Sequence, residues 1–292
     1  MRIYDQIVNR IPICKGWSGD KKYCAVTEDG GKYLLRISPS ERMERKRREF
    51  ARMRQVAALG IPMCLPLEFG TCADGVYAVH SWIEGEELEG ILDSMDEETR
   101  YRYGLDAGRI LAKIHSIQAP ADTPDWESRF NAKIDRKIAM YEACPLRYAG
   151  GEAFLKFLKE NRHLLKNRPQ TYQHGDYHVG NMMLEAGKLV IIDFDRDDFG
   201  DPWEEFNRIV WCAQAAPAFA SGMVDGYFNG EVPMEFWRLL ALYICSNTVG
   251  SLPWAIPYGE EEVKTMRAQA AEILRWYDCM QTVIPGWYRN AE

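Results

Sequence analysis

No stretch of this chain is apolar for long enough to read as a membrane span. Its most hydrophobic run, 239–256, is broken by Ser246, Asn247, Gly250, Ser251 and Pro253, whereas a spanning helix needs about 20 mainly apolar residues. The first sixteen residues lack the apolar core of a secretion signal. Cysteine is present eight times but never as CxxC, which removes zinc knuckles and thioredoxin-type redox motifs. Without an export signal these are expected to be reduced thiols. Positive charge is also in short supply: 36 Lys and Arg stand against 43 Asp and Glu, a net charge of −7. A nucleic-acid partner needs clustered cations to neutralise phosphates, so that class is set aside. No internal repeat and no low-complexity tract occurs. The expected setting is the cytoplasm, with no nucleic-acid, membrane or protein partner implied.

What the sequence does have is enough apolar material for a large interior. Hydrophobic residues make up 47% and aromatics 12% of 292 residues, about twice the usual single-domain size, which predicts two core-bearing units or one large one. The first eighty residues read as strands. Segments 22–28 (KYCAVTE) and 32–38 (KYLLRIS) flank Asp29-Gly30-Gly31, a hairpin signal. Residues 40–58 then turn helical, with Met43, Phe50, Met53 and Ala57 on one face and Arg45–Arg48 on the other. Two further strands are expected over 67–72 and 76–82, around Ala73-Asp74-Gly75. From Gly85 onward helices dominate: 96–117, 132–142, 152–165, 203–215, 235–249 and 260–280. Only 170–194 interrupts them, with short strands at 182–185 and 189–193.

That interruption carries the chemistry. Asp176 and Asn181 lie five residues apart on a loop, and Asp193 ends the apolar strand Leu189-Val190-Ile191-Ile192. An acid at the end of a buried strand has its backbone satisfied by the sheet while its carboxylate projects outward. Two carboxylates and an amide oxygen suit a hard cation such as Mg²⁺, which shares its shell with substrate phosphates. Phosphoryl transfer is the chemistry this set suggests.

His174-Gly175-Asp176, Asn181, then Ile192-Asp193-Phe194 and Gly200-Asp201-Pro202, in that order after a β-rich segment, resemble the aminoglycoside phosphotransferase and choline-kinase-like family. The resemblance implies an α+β, bilobal protein-kinase-like fold, with a small β-rich N-lobe (1–82) and a larger, mainly helical C-lobe (83–292). It implies that Asp176 orients an acceptor hydroxyl and takes its proton, and that Asn181 and Asp193 hold Mg²⁺ against the phosphates of ATP or GTP. His174, His178 and Asp201 become structural residues of the loop. The N-terminal part departs from the kinase pattern. Gly16-Trp17-Ser18-Gly19 stands in for GxGxxG, and the position expected to hold Lys on the third strand is Arg36. Arg can offer a forked donor to phosphate but is not interchangeable with Lys. Glu49 is the expected partner of Arg36, Ser18 and Gly19 are placed near the phosphates, and Ser81, Trp82 and Ile83 are placed against the base. Main-chain readout there leaves ATP and GTP both open.

For the acceptor, Asp197 and Asp198 beside Asp193 are the substrate candidates, since acids near a catalytic loop concentrate a cationic molecule. Glu204, Glu205 and Glu260–Glu262 read instead as first-turn acids complementing a helix dipole. Trp203, Trp211, Trp254 and Tyr258 read as core aromatics, and His80, His115 and His163 as packing or surface residues. The resulting expectation is a small-molecule kinase that moves the γ-phosphate of ATP or GTP to a hydroxyl of an aminoglycoside-like or amino-alcohol acceptor, with antibiotic resistance as the implied outcome. A choline or amino-sugar kinase, or a regulatory pseudokinase, are the alternatives.

Overall fold

Apolar residues alternating across tight turns build an antiparallel sheet from the N-terminal segment. The computed structural model describes residues 2–14 and 19–289. Five strands, β1 (Ile7–Ile13), β2 (Lys21–Thr27), β3 (Lys32–Ser38), β4 (Pro66–Cys72) and β5 (Gly75–Ser81), pair in the order β1-β2-β3-β5-β4. β1 was not expected, because its burial does not alternate and it forms an edge, where Pro12 is tolerated. One sheet face buries Ala25, Leu35, Ile37, Tyr77 and Val79, with Tyr4 stacked on Tyr77. Period-2 geometry turns Arg36, Ser38, Ala78 and His80 to the other side. There helix α1 (Met43–Ala57) brings Phe50 to within ring contact of Phe69 and His80.

A short hairpin, Met182–Glu185 with Lys188–Ile191, joins this same unit. Met63 bridges Ile191, and backbone bonds run from Cys64 to Ile191 and from Ile191 to Pro62. Packing therefore groups Met1–Ile91 with His174–Asp176 and Gly180–Asp197. That differs from a boundary at 82: the loop and the metal-type aspartate pack with the sheet, because these backbone bonds tie them to the segment after α1.

The second unit, Leu92–Gln173 with Tyr177–Val179 and the chain from Asp198 on, is helical. The expected helix at 203–215 is a 3-10 turn, Glu204–Arg208, followed by Ile209–Ala215. An unexpected helix, Pro217–Phe228, packs on Glu97–Ile114. Gly104 and Gly108 face Gly222 and Gly226, and a Cβ at any of them would strike the opposite backbone. Four glycines thus permit the contact while lowering helix propensity, which hid the element. Met234–Ala255 continues through Pro253, so the interruptions do not break it; against the expectation from sequence, with its extension to Tyr258 it is long and apolar enough to cross a membrane by length and composition, and 67% of its most apolar window is buried inside the protein. Asp225, set on this framework, accepts hydrogen bonds from Tyr101 and Tyr288. Each of the eight cysteines is a free thiol.

Candidate active site

The loop after the strand Thr171–Gln173 owes its shape to Gly175, whose φ is +85° and whose missing Cβ would collide with the Arg196 carbonyl. Only glycine combines that conformation with that approach. His174 is fully buried; its Nε2 donates to the Ile192 carbonyl at 2.9 Å, its Nδ1 accepts from the Asp176 amide at 3.3 Å, and its ring packs on Phe194. These bonds fix both the tautomer and the loop. The Asp176 carboxylate lies 3.3 Å from the Arg196 guanidinium. Asn181 donates Nδ2 to the Asp176 carbonyl at 2.8 Å, which makes its amide oxygen the atom able to serve as a ligand. A backbone bond from Ile192 to Asn181 draws the next segment alongside.

Asp193 adopts φ +64°, in the left-handed region. For a residue other than glycine this is uncommon, and such conformations gather at functional sites. Its carboxylate meets Arg36 at 3.0 Å and Lys22 at 4.0 Å. Arg36 also reaches Asp195 at 2.6 Å and Asp20 at 3.2 Å. Burial pulls this guanidinium's pKa down, but Asp195, Asp193 and Asp20 outweigh it and leave the charge held more firmly than usual. Asp20, its side chain 1% exposed, is bound in turn by Ser38 Oγ at 2.7 Å and Lys46 at 2.9 Å. Burial raises its pKa, and Ser38, Lys46 and Arg36 more than reverse that.

These side chains line a cavity of about 500 Å³ that runs past His80, Ser81, Trp82 and Ile83. Asp193, Asn181 and Arg36 are all on its wall. Among the described residues no three His, Cys, Asp or Glu side chains converge as a metal cage. One carboxylate and one amide oxygen fit Mg²⁺, which keeps waters and phosphate oxygens in its shell, better than they fit a cation requiring an all-protein cage.

Several expectations need correction. Glu49 does not pair with Arg36; it binds Arg45 at 2.6 Å and Lys46 at 2.9 Å, because partners three and four residues back on the same helix face reach it first. Asp197 is not open to a cationic substrate, since its side chain is 2% exposed and is held by Arg52 at 2.6 Å. Asp198 is exposed, with Arg129 at 3.8 Å. Ser81 lines the cavity, but its amide and hydroxyl are engaged with Leu65 at 2.9 and 2.8 Å. Gly19 sits in an exposed bend beside Arg42, and Ser18 lies outside the described residues. His178 is half-buried in the turn after Asp176. Asp201 is fully buried and ligated by Arg168, Tyr243 and the Trp203 amide. His80 is buried against Phe50, as a packing residue would be, and it also lines the cavity. Asp20, Lys22 and Lys46 were missed altogether. Lys46, three residues before Glu49 in a helix, was the signal available for that pair.

The sequence matches the phosphotransferase enzyme family over residues 10–237. No curated protein matches it by sequence. Among solved structures, a thermostable mutant of aminoglycoside phosphotransferase APH(4)-Ia, in ternary complex with AMP-PNP and hygromycin B, is similar at 15% identity, over 94% of this chain and 95% of that one, with a TM-score of 0.67. The amicoumacin kinase hAmiN, in complex with AMP-PNP, Ca²⁺ and Ami, is similar at 14% identity, over 94% and 90%, with a TM-score of 0.65. Macrolide 2'-phosphotransferase MphH from Brachybacterium faecium is similar at 16% identity, over 89% and 91%, with a TM-score of 0.59. At such identities the likeness is one of fold, and it is the α+β protein-kinase-like fold. The matched span runs from within β1 past Asp176, Asn181 and Asp193, and the chain belongs to the phosphotransferase enzyme family.

Proposed function

We propose that this chain is a small-molecule kinase that transfers the γ-phosphate of ATP or GTP to a hydroxyl of an aminoglycoside-like or amino-alcohol acceptor. The observation that carries the reading is that Arg36, Asn181 and Asp193 line one cavity with Trp82 and Ile83. In its polar floor the carboxylates of Asp20, Glu49, Asp193 and Asp195 outnumber Lys22, Arg36 and Lys46. A triphosphate entering such a floor needs a divalent cation with it. Asp193 and the Asn181 oxygen would hold Mg²⁺, which supplies charge neutralisation at the β- and γ-phosphates.

The chain's own groups divide the remaining work. With Asp193 engaged in holding the cation, Arg36 and Lys22 would be released to bind phosphate oxygens. Asp176, positioned by Arg196 and by the loop bonds of His174, accepts the hydroxyl proton as the acceptor oxygen bonds to the γ-phosphorus. The bond to the nucleoside diphosphate oxygen breaks in the same displacement. Positioning and electrostatics lower this barrier without a covalent enzyme intermediate. On this reading the enzyme works in the cytoplasm, and phosphorylation of an aminoglycoside would confer resistance to it.

The test is nucleotide turnover with Mg²⁺ across aminoglycosides, macrolides, choline and amino sugars. Turnover with an aminoglycoside supports the first acceptor class, and turnover with choline or an amino sugar alone moves the acceptor to that class. Tight nucleotide binding with no turnover on any acceptor would replace the kinase by a nucleotide-binding regulator.

A further inference from the structure

His80 is the last residue but one of β5, on the face that looks into the cavity. Tyr77 and Val79 alternate with it and point into the opposite core. Its cross-strand neighbour on β3 is Leu34, two residues before Arg36. The ring is 6% exposed and meets Phe50 edge-on at 6.0 Å. Among the described residues, neither of its nitrogens has a hydrogen-bond partner. Burial pushes its pKa down to about 3, and Arg36 and Lys46 act in the same direction. The imidazole is therefore neutral, with one donor and one acceptor, beside Phe50 on the cavity wall.

Two buried polar atoms without partners are costly, and native proteins seldom leave them so without a use. The amide and hydroxyl of Ser81, next along the strand, are already bound to Leu65. His80, unlike Ser81, keeps its side-chain nitrogens available for recognition. A neutral imidazole can donate to an oxygen or accept from an amino group, according to its tautomer.

We propose that His80 is a specificity-determining residue that hydrogen-bonds the 6-oxo or 6-amino group of a purine nucleotide in the cavity. The inference rests on the nucleotide site of the proposed function. It makes 6-substituted purines the preferred bases and leaves purine riboside triphosphate, which carries only hydrogen at that position, without a partner for the ring.

The experiment is calorimetric titration of the full chain with ATP, GTP and purine riboside triphosphate, each with Mg²⁺. The affinity ratio of ATP to purine riboside triphosphate should fall by about tenfold in His80→Leu, the worth of one well-made buried hydrogen bond. His80→Gln, which keeps a donor and an acceptor, should retain most of the ratio. An unchanged ratio in His80→Leu would overturn the inference and leave the kinase reading standing. Failure of all three nucleotides to bind the wild type would overturn the kinase reading, and this inference with it. Should the leucine variant not fold, nitrogen-15 spectra of the wild-type histidines decide. The His80 ring nitrogens should shift with ATP and not with purine riboside triphosphate; equal shifts with both refute the assignment.

Discussion

Two arginines in this molecule are almost equally withdrawn from solvent, and they are used in opposite ways. Arg168, in the helical unit, lies against one principal carboxylate: Asp201 at 2.6 and 3.3 Å, with Glu235 farther off at 3.4 Å. Its guanidinium stacks on Trp203 at 4.0 Å, and Asp201 is completed by Tyr243 and the Trp203 amide. Charge and hydrogen bonds there are closed. Arg36, in the sheet unit, is shared among Asp20, Asp193 and Asp195. Lys46 also binds Asp20 and Lys22 reaches Asp193, so three cations on this cavity wall face Asp20, Glu49, Asp193 and Asp195, and an acid stays in excess. A balanced buried pair contributes little beyond fixing a geometry, whereas an unbalanced one is ready for a further charge. The first arrangement reads as scaffold and the second as site.

The largest effects should fall on opposite observables in the two regions. Asp176→Asn keeps the loop's shape and removes the proposed proton acceptor, so turnover should drop about 10²–10⁴-fold, the range of general-base catalysis, with the melting temperature nearly unchanged. Asp201→Ala should do the reverse. It strands Arg168 and Tyr243 in the interior, where breaking a buried pair costs about 3–5 kcal/mol, and the melting point should fall by on the order of 10 °C. Thermal melts and steady-state kinetics of both variants check this together. A catalytically intact Asp176→Asn, or a fully stable Asp201→Ala, would break the distinction.

The same contrast explains what could be read in advance. Residues 174–201 form one short span, so linear spacing was enough to place Asn181 and Asp193 together on the cavity wall and Asp201 in the structural part of the loop. The Arg36 cluster was not legible, because its bonds to Asp193 and Asp195 join residues 157 and 159 positions apart. Nothing local signals such contacts. Glu49 shows the opposite error: a long-range partner was expected where Arg45 and Lys46, on its own helix, are nearer. The strand-rich and helix-rich parts were legible from periodicity, and the protein-kinase-like fold from the resemblance carried by the 174–202 motif. β1 and the glycine-bearing helix Pro217–Phe228 were not, one because neither face is deeply buried and the other because its glycines serve packing rather than propensity.

A middle-sized effect should separate the two arginines themselves. Arg36→Ala should raise the nucleotide KM and lower kcat, for a combined loss of about 10–100-fold, since a hydrogen bond to a charged group contributes about 1.5–3 kcal/mol. Arg36→Lys should recover part of it, because one ammonium cannot fork to three carboxylates. Arg168→Ala should leave both kinetic constants near wild type in the folded fraction and lower stability instead. Kinetics that respond equally to both alanine variants would erase the difference between open and closed clusters.

The smallest effects probe how Arg36 is held. Arg36 binds Asp20, Asp20 binds Lys46, and Lys46 binds Glu49, so Glu49 acts on Arg36 only through two intervening side chains. Glu49→Gln should therefore change the nucleotide KM by no more than about threefold, whereas Asp20→Asn, one step from Arg36, should change it by about 3–10-fold, as interactions weaken along a chain of contacts. Double-mutant cycles make the point sharper: Arg36 with Asp20 should show coupling above about 0.5 kcal/mol, and Arg36 with Glu49 should fall below it. Acid titration gives an independent check. The folded pKa of Asp20 is lowered, with burial opposing and Ser38, Lys46 and Arg36 prevailing. Its contribution to stability is thus present above the unfolded value of about 3.9 and is lost as pH falls through the folded one. Asp20→Asn should flatten that acid limb, and Glu49→Gln should leave it standing. Strong Arg36–Glu49 coupling would instead restore the direct pair that the sequence suggested.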